Sequence, residues 1–193
     1  MVRIDRVVTR GGDLGETSLG DGTRLRKDAA RVEAYGSVDE ANAAIGMLRL
    51  HAAGEDDAML ARIQNDLFDV GADLCVPGSA GARLRLTDAP VLRLEEEVEA
   101  MNAELPPLTS FVLPGGTKAA AHAHLARTVT RRAERRVVTL AALEEINPCV
   151  ISYLNRLSDH LFVMGRRLND NAAGDVLWVP GASMSGGVSR GEI

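Results

Sequence analysis

Apolar residues recur at spacings of three and four along five stretches of the sequence, which is the pattern of helices that bury one face. The stretches cover approximately residues 31–51, 57–75, 88–105, 117–144 and 148–169. They are separated by pairs that stop a helix, namely Pro77-Gly78, Pro106-Pro107 and Asn147-Pro148. Five consecutive helices with short or moderate connections predict an all-α, up-and-down five-helix bundle over residues 31–170.

The core of this bundle should be aliphatic, because 46% of the residues are hydrophobic but only 3% are aromatic. Such a composition suits packed helices, since alanine lets helix axes approach and leucine loses little rotamer freedom. The positions expected to face the core are Ala34, Val38, Ala41, Ile45 and Leu48; Leu60, Ile63, Leu67, Val70 and Leu74; Val91, Leu94, Val98 and Met101; Ala126, Val129, Ala133, Val137 and Leu140; and Val150, Leu154, Leu157, Leu161, Met164 and Leu168. Phe68, Gly71 and Cys75 are expected to form a further buried strip on the second helix.

The two ends of the chain lack helical periodicity. Residues 1–30 combine glycines with hydroxyl and cationic side chains and predict an irregular segment without strands. A flexible leader would explain this composition, but so would a backbone that wraps a phosphate chain, since glycine lets amides approach an anion closely. Residues 171–193 are rich in Gly and Ser and predict a frayed tail, either flexible or part of the same single domain.

Charge and cysteine usage narrow the class of protein. A formal net charge of -5 disfavours a general nucleic-acid binder, which usually carries a basic surplus. Cys75 and Cys149 show no metal-type spacing, which fits a reducing compartment. No segment approaches the roughly 20 apolar residues of a membrane span, and no apolar run near Met1 resembles a signal peptide. We therefore expect a soluble, cytoplasmic protein that binds neither nucleic acid nor membrane.

The fourth predicted helix carries an unusual density of arginines. The arginine row, as we call it, consists of Arg127, Arg131, Arg132, Arg135 and Arg136. At helical spacing, Arg127, Arg131 and Arg135 share a face with Glu134, which is the one acidic neighbour in the same stretch. A solvated helix face would be stabilised by local ion pairs worth only a few tenths of a kcal/mol each. Because most of the row lacks such a partner, the pattern favours an anion from outside the helix.

Seven blocks of sequence together resemble the PduO-type corrinoid adenosyltransferases and follow the order found in that family. They are residues 9–18 (TRGGDLGETS), 27–28 (KD), 33–40 (EAYGSVDE), 111–117 (FVLPGGT), 126–128 (ART), 131–135 (RRAER) and 155–159 (NRLSD). The resemblance covers nearly all of the chain up to about residue 170. It implies a homotrimer of five-helix bundles, ferritin-like in architecture, that binds ATP between subunits.

The resemblance also implies a reaction, the transfer of the 5′-deoxyadenosyl group of ATP to cob(I)alamin with release of triphosphate. Co(I) is itself the nucleophile, so the protein must supply position and charge, with Mg²⁺ accompanying ATP and no separate metal site expected. The product would pass to an adenosylcobalamin-dependent enzyme. The residues that the resemblance implies for ATP are Thr9, Arg10, Gly11, Gly12, Thr17, Ser18, Lys27, Arg131, Arg132, Ala133, Glu134, Arg135 and Asn155.

Three other positions acquire roles from the resemblance. Asp39 and Arg127 match an ion pair across the subunit interface, although a pair within one chain would satisfy the same charges. Phe111 matches an aromatic residue on the lower axial side of the corrin, where a ring takes the place of a nitrogen ligand without donating electrons to cobalt. Phe111, Arg131 and Asn155 are therefore the predicted catalytic residues.

The sequence departs from the family pattern at two positions and leaves two other functions open. Gly11 stands where relatives commonly have Thr, and Leu14 stands where Lys is frequent, which removes one hydroxyl and one charge near ATP. A non-catalytic helical protein that senses ATP or a corrinoid, or delivers a loaded cofactor, would use the same residues. An RNA-binding helical module would use the arginine row but would leave the glycine-rich leader unexplained.

Overall fold

A computed structural model describes residues 8–78 and 83–184 of the chain. Two strands, Glu16–Ser18 (β1) and Arg24–Arg26 (β2), precede the helices. The helices are Ala30–Arg49 (α1), Gly54–Leu74 (α2), Ala89–Ala103 (α3), Lys118–Ala141 (α4) and Pro148–Arg167 (α5). The predicted five-helix bundle is confirmed, and the predicted ends of the helices lie within about three residues of the observed ones.

Helix α4 lies between α1 and α5, with which it makes the two most extensive helix pairs. The next pairs are α1 with α2 and α3 with α5. Across the bundle the helices therefore follow the order α2, α1, α4, α5, α3, so the main neighbours of α3 are not its neighbours in the chain. The long connections over residues 75–88 and 104–117 allow α3 to cross the bundle.

The core is aliphatic, as the composition predicts. All the core positions predicted on α1 and all five predicted on the main stripe of α2 are buried, while Val98, Val129 and Leu168 are half-buried. The further strip predicted on α2 is wrong, because Phe68 is 71% exposed and Gly71 and Cys75 are only half-buried. Within one chain, α1 covers the main stripe of α2, while Phe68, Gly71 and Cys75 line an open groove beside it.

Side chains at the helix ends fix where α4 and α5 begin. The Thr117 hydroxyl accepts a hydrogen bond from the backbone N–H of Ala120 at 3.1 Å, and the Asn147 amide oxygen accepts one from Cys149 at 3.1 Å. Both are N-cap bonds, which satisfy backbone donors that the first turn of a helix leaves free. Pro148 follows in the first turn of α5, where its missing N–H costs nothing.

The leader, defined as residues 8–29, differs from the irregular segment that the sequence predicts. β1 and β2 form an antiparallel hairpin in which Thr17 pairs with Leu25. The hairpin is attached to the bundle by Leu19, which is buried, and by Gly20, whose N–H donates to the Cys75 carbonyl at 3.1 Å. Strands of three residues with mostly exposed side chains are too short to show an alternating pattern, so they could not be predicted from the sequence.

The segment after α5 is also more structured than a frayed tail. Residues 168–184 form a series of turns, and Leu177 makes an antiparallel bridge to Val112 in the connection before α4. The rest of the predicted tail, residues 185–193, and the start of the predicted leader, residues 1–7, lie outside the described residues. None of the helices in the two described ranges is long and apolar enough to cross a membrane.

Candidate functional site

Two arginines of the row are bound to helix α1. Arg132 forms an ion pair with Glu40, and Arg136 Nε lies 3.4 Å from Glu33 Oε1. Both acidic partners are about a hundred residues distant in the sequence, so the local pattern could not show them. These two guanidiniums therefore hold α4 against α1, in addition to whatever they offer to a ligand.

Arg131 and Arg127 have no such partners. Arg131 is exposed, and its guanidinium has no hydrogen-bond or ion-pair partner in the part of the chain that the structure describes. Arg127 is half-buried, and its buried Nε makes no hydrogen bond. Burial lowers the pKa of Arg127, and the positive charge of Arg131 lowers it further. An unpaired buried donor and an unpaired exposed cation side by side favour the binding of an anion from outside the chain.

Asn155 lies beside the arginine row because α4 and α5 pack together. Its Nδ2 donates a hydrogen bond to Glu134 Oε1 at 3.0 Å, which joins two residues that the sequence analysis placed in one site. Asn155 is exposed and Glu134 is half-buried, so the pair stands at the surface next to Arg131. The hydrogen bond orients the carboxylate of Glu134 and leaves the amide oxygen of Asn155 directed elsewhere.

In the leader, the structure brings Thr9, Gly11, Gly12 and Lys27 together. The backbone N–H of Gly11 donates to the Thr9 hydroxyl at 3.4 Å. A Cβ on Gly12 would lie 2.9 Å from Lys27 Nζ, so the absence of a side chain lets the ammonium lie directly over the backbone. Arg10 has a left-handed backbone with φ 60°. Hydroxyl, amide and ammonium groups thus converge on one turn, as a phosphate-binding segment requires.

Arg24 is part of this arrangement and was not among the predicted site residues. Its Nη2 donates to the Gly11 carbonyl at 2.8 Å, and its Nη1 donates to Ser18 Oγ at 3.3 Å. It also lies 3.4 Å from Glu16 Oε2. Arg24 sits in β2 opposite Ser18, so only knowledge of the hairpin register would have revealed that it holds the turn of the leader.

Within one chain, the leader and the arginine row do not meet. The leader lies against α1 and the end of α2, where the Thr17 side chain interacts with the Tyr35 hydroxyl, whose pKa is raised by burial. No hydrogen bond or ion pair between described residues joins the leader to the arginine row or to Asn155. The residues predicted for ATP therefore fall into two separate groups on the surface of the bundle.

Asp39 also stands apart from its predicted partner. It lines a groove between α1 and α2 with a volume of about 360 Å³, together with Tyr35, Asn42, Phe68 and Cys75. Among the described residues, Asp39 forms no ion pair with Arg127. An ion pair between Asp39 and Arg127 of the same chain is therefore not seen. Phe68 is exposed, so the groove beside Asp39 is open to solvent.

Phe111 lies in the connection between α3 and α4 and is 76% exposed. Its ring centroid is 6.0 Å from that of Trp178, with the two ring planes at 54°. This places it at the end of the bundle where α4 begins and α5 ends, away from Asn155, which lies in the first half of α5. The ring therefore lies outside the buried core and contacts Trp178.

The described residues contain no group of three or more His, Cys, Asp or Glu side chains placed to hold a metal ion. The cluster that comes nearest to a polar interior is His160 with Glu97, at 2.8 Å, and Glu97 also pairs with Arg62. These contacts join α3 to α5 and α2.

Comparisons with known proteins agree with this arrangement. A family model described as cobalamin adenosyltransferase matches residues 7–168. The cobalamin adenosyltransferase of Cupriavidus metallidurans is 48% identical over 180 residues, which is 91% of this chain and 95% of that protein. The corrinoid adenosyltransferase of Bacillus subtilis is 45% identical over 177 residues, which is 89% of this chain and 91% of that protein.

A solved structure extends the likeness to three dimensions. It is that of a variant PduO-type ATP:corrinoid adenosyltransferase from Lactobacillus reuteri complexed with cobalamin and ATP. The two folds superpose with a TM-score of 0.84 at 36% sequence identity, and the match covers 90% of this chain and 99% of that one. The family match spans the leader, the arginine row and Asn155 alike, so the chain belongs to the cobalamin adenosyltransferase family.

Proposed function

We propose that this protein transfers the 5′-deoxyadenosyl group of ATP to cob(I)alamin and forms adenosylcobalamin. The observation that carries the proposal is the pair of unpartnered guanidiniums, Arg127 and Arg131, beside the Glu134–Asn155 hydrogen bond. The same family includes a relative whose structure contains both cobalamin and ATP, which are the two substrates of this reaction.

The reaction needs charge and position more than an attacking side chain. The electron pair of Co(I) forms the cobalt–carbon bond at C5′. The bond from C5′ to the triphosphate oxygen breaks, and triphosphate leaves with the electron pair of that carbon–oxygen bond. Because cobalt is the nucleophile, the protein needs no activated Ser, Cys or His. Its work is to hold C5′ in line with cobalt and to neutralise the leaving group.

Arg131 is assigned to the triphosphate, because it is the exposed cation of the row with no partner among the described residues. Planar guanidiniums bind phosphate oxygens in pairs, and Arg135 lies one turn further along the same face. Arg132, Ala133, Glu134 and Asn155 complete this half of the site. The hydroxyl and amide groups of Thr9, Gly11, Gly12, Thr17 and Ser18, with the cations of Arg10 and Lys27, form the other half.

Because the two halves lie apart on one chain, we propose that each site forms between two copies in a homotrimer. The acidic Asp39 stands in an open groove, and Arg127 has a buried, unpaired donor, so the two surfaces are complementary in charge. An ion pair from Asp39 of one copy to Arg127 of the next would satisfy both, and the exposed Phe68 would be covered by the same contact. A cyclic arrangement then closes with three equivalent interfaces.

Phe111 is assigned to the lower face of the corrin. The ring is 76% exposed and so is free to contact a ligand, and the flat corrin offers a large apolar face. A ring in that position excludes the nitrogen ligand from cobalt, which makes Co(II) easier to reduce. Phe111 thereby acts in catalysis without transferring a proton.

Mg²⁺ is proposed to arrive with the phosphates of ATP. The described residues offer no ready-made cluster of acidic ligands, and Mg²⁺ commonly binds through substrate phosphates and water. Its role would be to neutralise charge on the triphosphate as that group leaves. We further propose that the protein acts in the cytoplasm and passes its product to an enzyme that depends on adenosylcobalamin.

The test is to mix the protein with ATP, Mg²⁺ and chemically reduced cobalamin and to follow the Co(I) absorption spectrum. We expect the Co(I) bands to disappear as adenosylcobalamin forms, with one triphosphate released for each cobalamin converted. Binding of ATP and cobalamin without any adenosylcobalamin would replace the proposal with a sensing or delivery function. Retention of RNA with no turnover would favour the nucleic-acid alternative.

A further inference from the structure

The loop that carries Phe111 is attached by its backbone to the segment after α5. We call residues 105–117 the Phe111 loop and residues 174–178 the C-terminal arm. Leu113 N–H donates to the Val176 carbonyl at 2.8 Å, and Trp178 N–H donates to the Phe111 carbonyl at 2.7 Å. The Ser110 hydroxyl donates to the Trp178 carbonyl at 2.8 Å. The backbone of Phe111 is therefore placed by the arm and not by a helix of the bundle.

The side chains of the two segments also meet. The rings of Phe111 and Trp178 lie 6.0 Å apart, centroid to centroid, and are tilted by 54°. This separation and tilt fall within the range of favourable aromatic pairs. Trp178 is 40% exposed, so one face of its ring supports Phe111 while the remainder is open to solvent.

Three buried side chains, which we call the anchor, fix the arm to both ends of the Phe111 loop. Asp175 Oδ2 accepts a hydrogen bond from Arg166 Nε at 2.9 Å, and its Oδ1 accepts one from Asn169 Nδ2 at 3.0 Å. Arg166 Nη2 also donates to the Pro106 carbonyl at 2.9 Å, near the start of the loop. Asn169 Oδ1 accepts the backbone N–H of Thr117 at 3.1 Å, at its end.

Close packing keeps the anchor in place. The side chains of Arg166 and Asp175 are 5% and 6% exposed. A Cβ on Gly116 would lie 2.2 Å from Asn169 Oδ1, and a Cβ on Gly174 would lie 2.7 Å from the same atom. Asn169 is thus held between two glycines, one in the loop and one in the arm, and neither position leaves room for a larger residue.

We propose that Arg166, Asn169, Asp175 and Trp178 are positioning residues that hold Phe111 in the geometry its ring needs beneath the corrin. This inference rests on the proposed function, because it assigns these residues a role in the same reaction. The anchor fixes the two ends of the loop, and the arm with Trp178 fixes its middle. The network lies at one end of the bundle, in the last turn of α5, in the segment that follows it and in the loop before α4.

The first experiment needs no substrate. It measures fluorescence, because Trp178 is the only tryptophan of the chain. Asp175→Asn keeps the shape of the side chain but replaces one of its two carboxylate oxygens by an NH₂ group. That group cannot accept the hydrogen bond that Arg166 or Asn169 donates to it. We expect its tryptophan emission to shift to longer wavelength. Acrylamide quenching should rise about twofold, as when a ring that is 40% exposed becomes fully exposed. Asp170→Asn is the matched control, because Asp170 is exposed and Asn suits its left-handed backbone with φ 60°.

The second experiment measures catalysis in Trp178→Ala, with Trp178→Phe as the conservative variant. For Trp178→Ala we expect kcat to fall by about tenfold to a hundredfold, as for a misplaced reacting group, while the KM for ATP stays unchanged. The paramagnetic resonance signal of four-coordinate Co(II) should weaken in parallel. Trp178→Phe should restore both. Leu92→Ala, which removes an exposed apolar side chain from α3, should match the wild type.

The outcomes separate the inference from the proposed function. A wild-type protein that forms no adenosylcobalamin rejects the proposed function, and the emission of Asp175→Asn still decides whether the anchor holds the arm. If the wild type is active and Trp178→Ala equals Leu92→Ala in kcat and in the Co(II) signal, the inference is overturned. Unchanged emission in Asp175→Asn also overturns it. If Asp175→Asn loses its helical circular dichroism, the exposed Trp178 variants decide the question alone.

Discussion

At the residue scale, substitution of Arg131 should weaken the binding of an anion without changing the stability of the fold. Its guanidinium is exposed and has no partner among the described residues, so Arg131→Ala should leave the helical circular dichroism unchanged. A charged hydrogen bond to triphosphate is worth about 1.5–3 kcal/mol, so turnover should fall by about tenfold to a hundredfold. The measurement is kcat/KM for ATP at saturating cob(I)alamin.

Arg136→Ala is the matched control for Arg131→Ala. It removes an arginine from the same helix, but one whose predicted role is limited to a half-exposed pair with Glu33 at 3.4 Å. Turnover should stay within about twofold of the wild type, since exposed ion pairs contribute little. Equal losses in the two variants would mean that the row acts through its overall charge and not through Arg131.

Gly116 provides a test of stability in the motif that precedes α4. Its backbone has φ +98°, and an added Cβ would lie 2.2 Å from the buried Asn169. Gly116→Ala should lower the free energy of unfolding by about 2 kcal/mol or more, because it adds left-handed strain to a close contact. For a chain of this size that corresponds to a fall in Tm of about 4–8 °C.

The neighbouring Gly115 gives the comparison for Gly116. A Cβ there would meet nothing within 4 Å, so Gly115→Ala should change Tm by about 2 °C or less. Both Tm values can be read from the same thermal unfolding experiment, followed at the helical circular dichroism band. Equal effects at the two positions would show that Asn169 moves aside easily, and the anchor would then be a weak constraint.

The residues that the sequence could not identify share one property, which is that each acts through a contact with another segment of the chain. Arg131, Glu134 and Asn155 were predicted from helical spacing and family blocks, and the structure places them together. Arg24, Asn169 and Asp175 were missed because each acts through a backbone or side chain in another segment. Local periodicity contains no information about such contacts.

At the element scale, the helices were predictable and the short segments were not. A helix of twenty or more residues repeats its apolar stripe several times, so the stripes of α1, α2 and α5 stand out. β1 and β2 have three residues each and no repeat. Phe68 was predicted to be buried in a strip with Gly71 and Cys75, but it is 71% exposed. The Asp88 side chain, at the start of α3, makes no capping hydrogen bond.

The contact between α3 and α5 predicts a dependence of stability on pH. Burial raises the pKa of Glu97, but hydrogen bonds from His160 and Arg62 outweigh it, so the pKa lies below its ordinary value of 4.5. Because the folded-state value is the lower one, the ionised carboxylate stabilises the fold above pH 4.5, and this stabilisation is lost as the pH falls through the folded-state pKa.

We therefore expect Glu97→Gln to be less stable than the wild type near neutral pH by about 1–2 kcal/mol, because charged hydrogen bonds are lost. The difference should shrink as the pH falls below 4.5. Urea unfolding at a series of pH values measures both quantities. Glu99→Gln, an exposed position on the same helix, should differ little from the wild type at every pH. If the difference in the free energy of unfolding between the wild type and Glu97→Gln does not change with pH, the lowered pKa of Glu97 is contradicted.

At the scale of the whole molecule, the central question is whether one chain contains a complete site. The leader lies against α1 and α2, while the arginine row and Asn155 lie on α4 and α5. Asp39 faces an open groove, and Arg127 keeps a buried donor unpaired. The unpaired buried donor is unfavourable in an isolated chain and is satisfied if a carboxylate of another copy reaches it. The mass in solution should then be three times the 20.6 kDa of one chain.

Mixing two inactive variants tests the shared site directly. Lys27→Ala damages the leader half and Arg131→Ala damages the helical half, so each variant alone should have low activity. In a cyclic trimer built from equal amounts of both, three quarters of the assemblies are mixed, and each mixed assembly has one site with two intact halves. Activity should therefore return to about a quarter of the wild-type value after the variants are unfolded and refolded together.

The control for this experiment is a refolded mixture of the wild type with a variant that carries both substitutions, Lys27→Ala and Arg131→Ala. In that mixture every site formed between an intact and a doubly altered chain lacks one half, so only pairs of wild-type neighbours are active, again about a quarter of the sites. If each chain held its own complete site, the control would instead retain about half of the wild-type activity, and the first mixture would recover none. The two mixtures thus give equal activities only when each site is built from neighbouring chains.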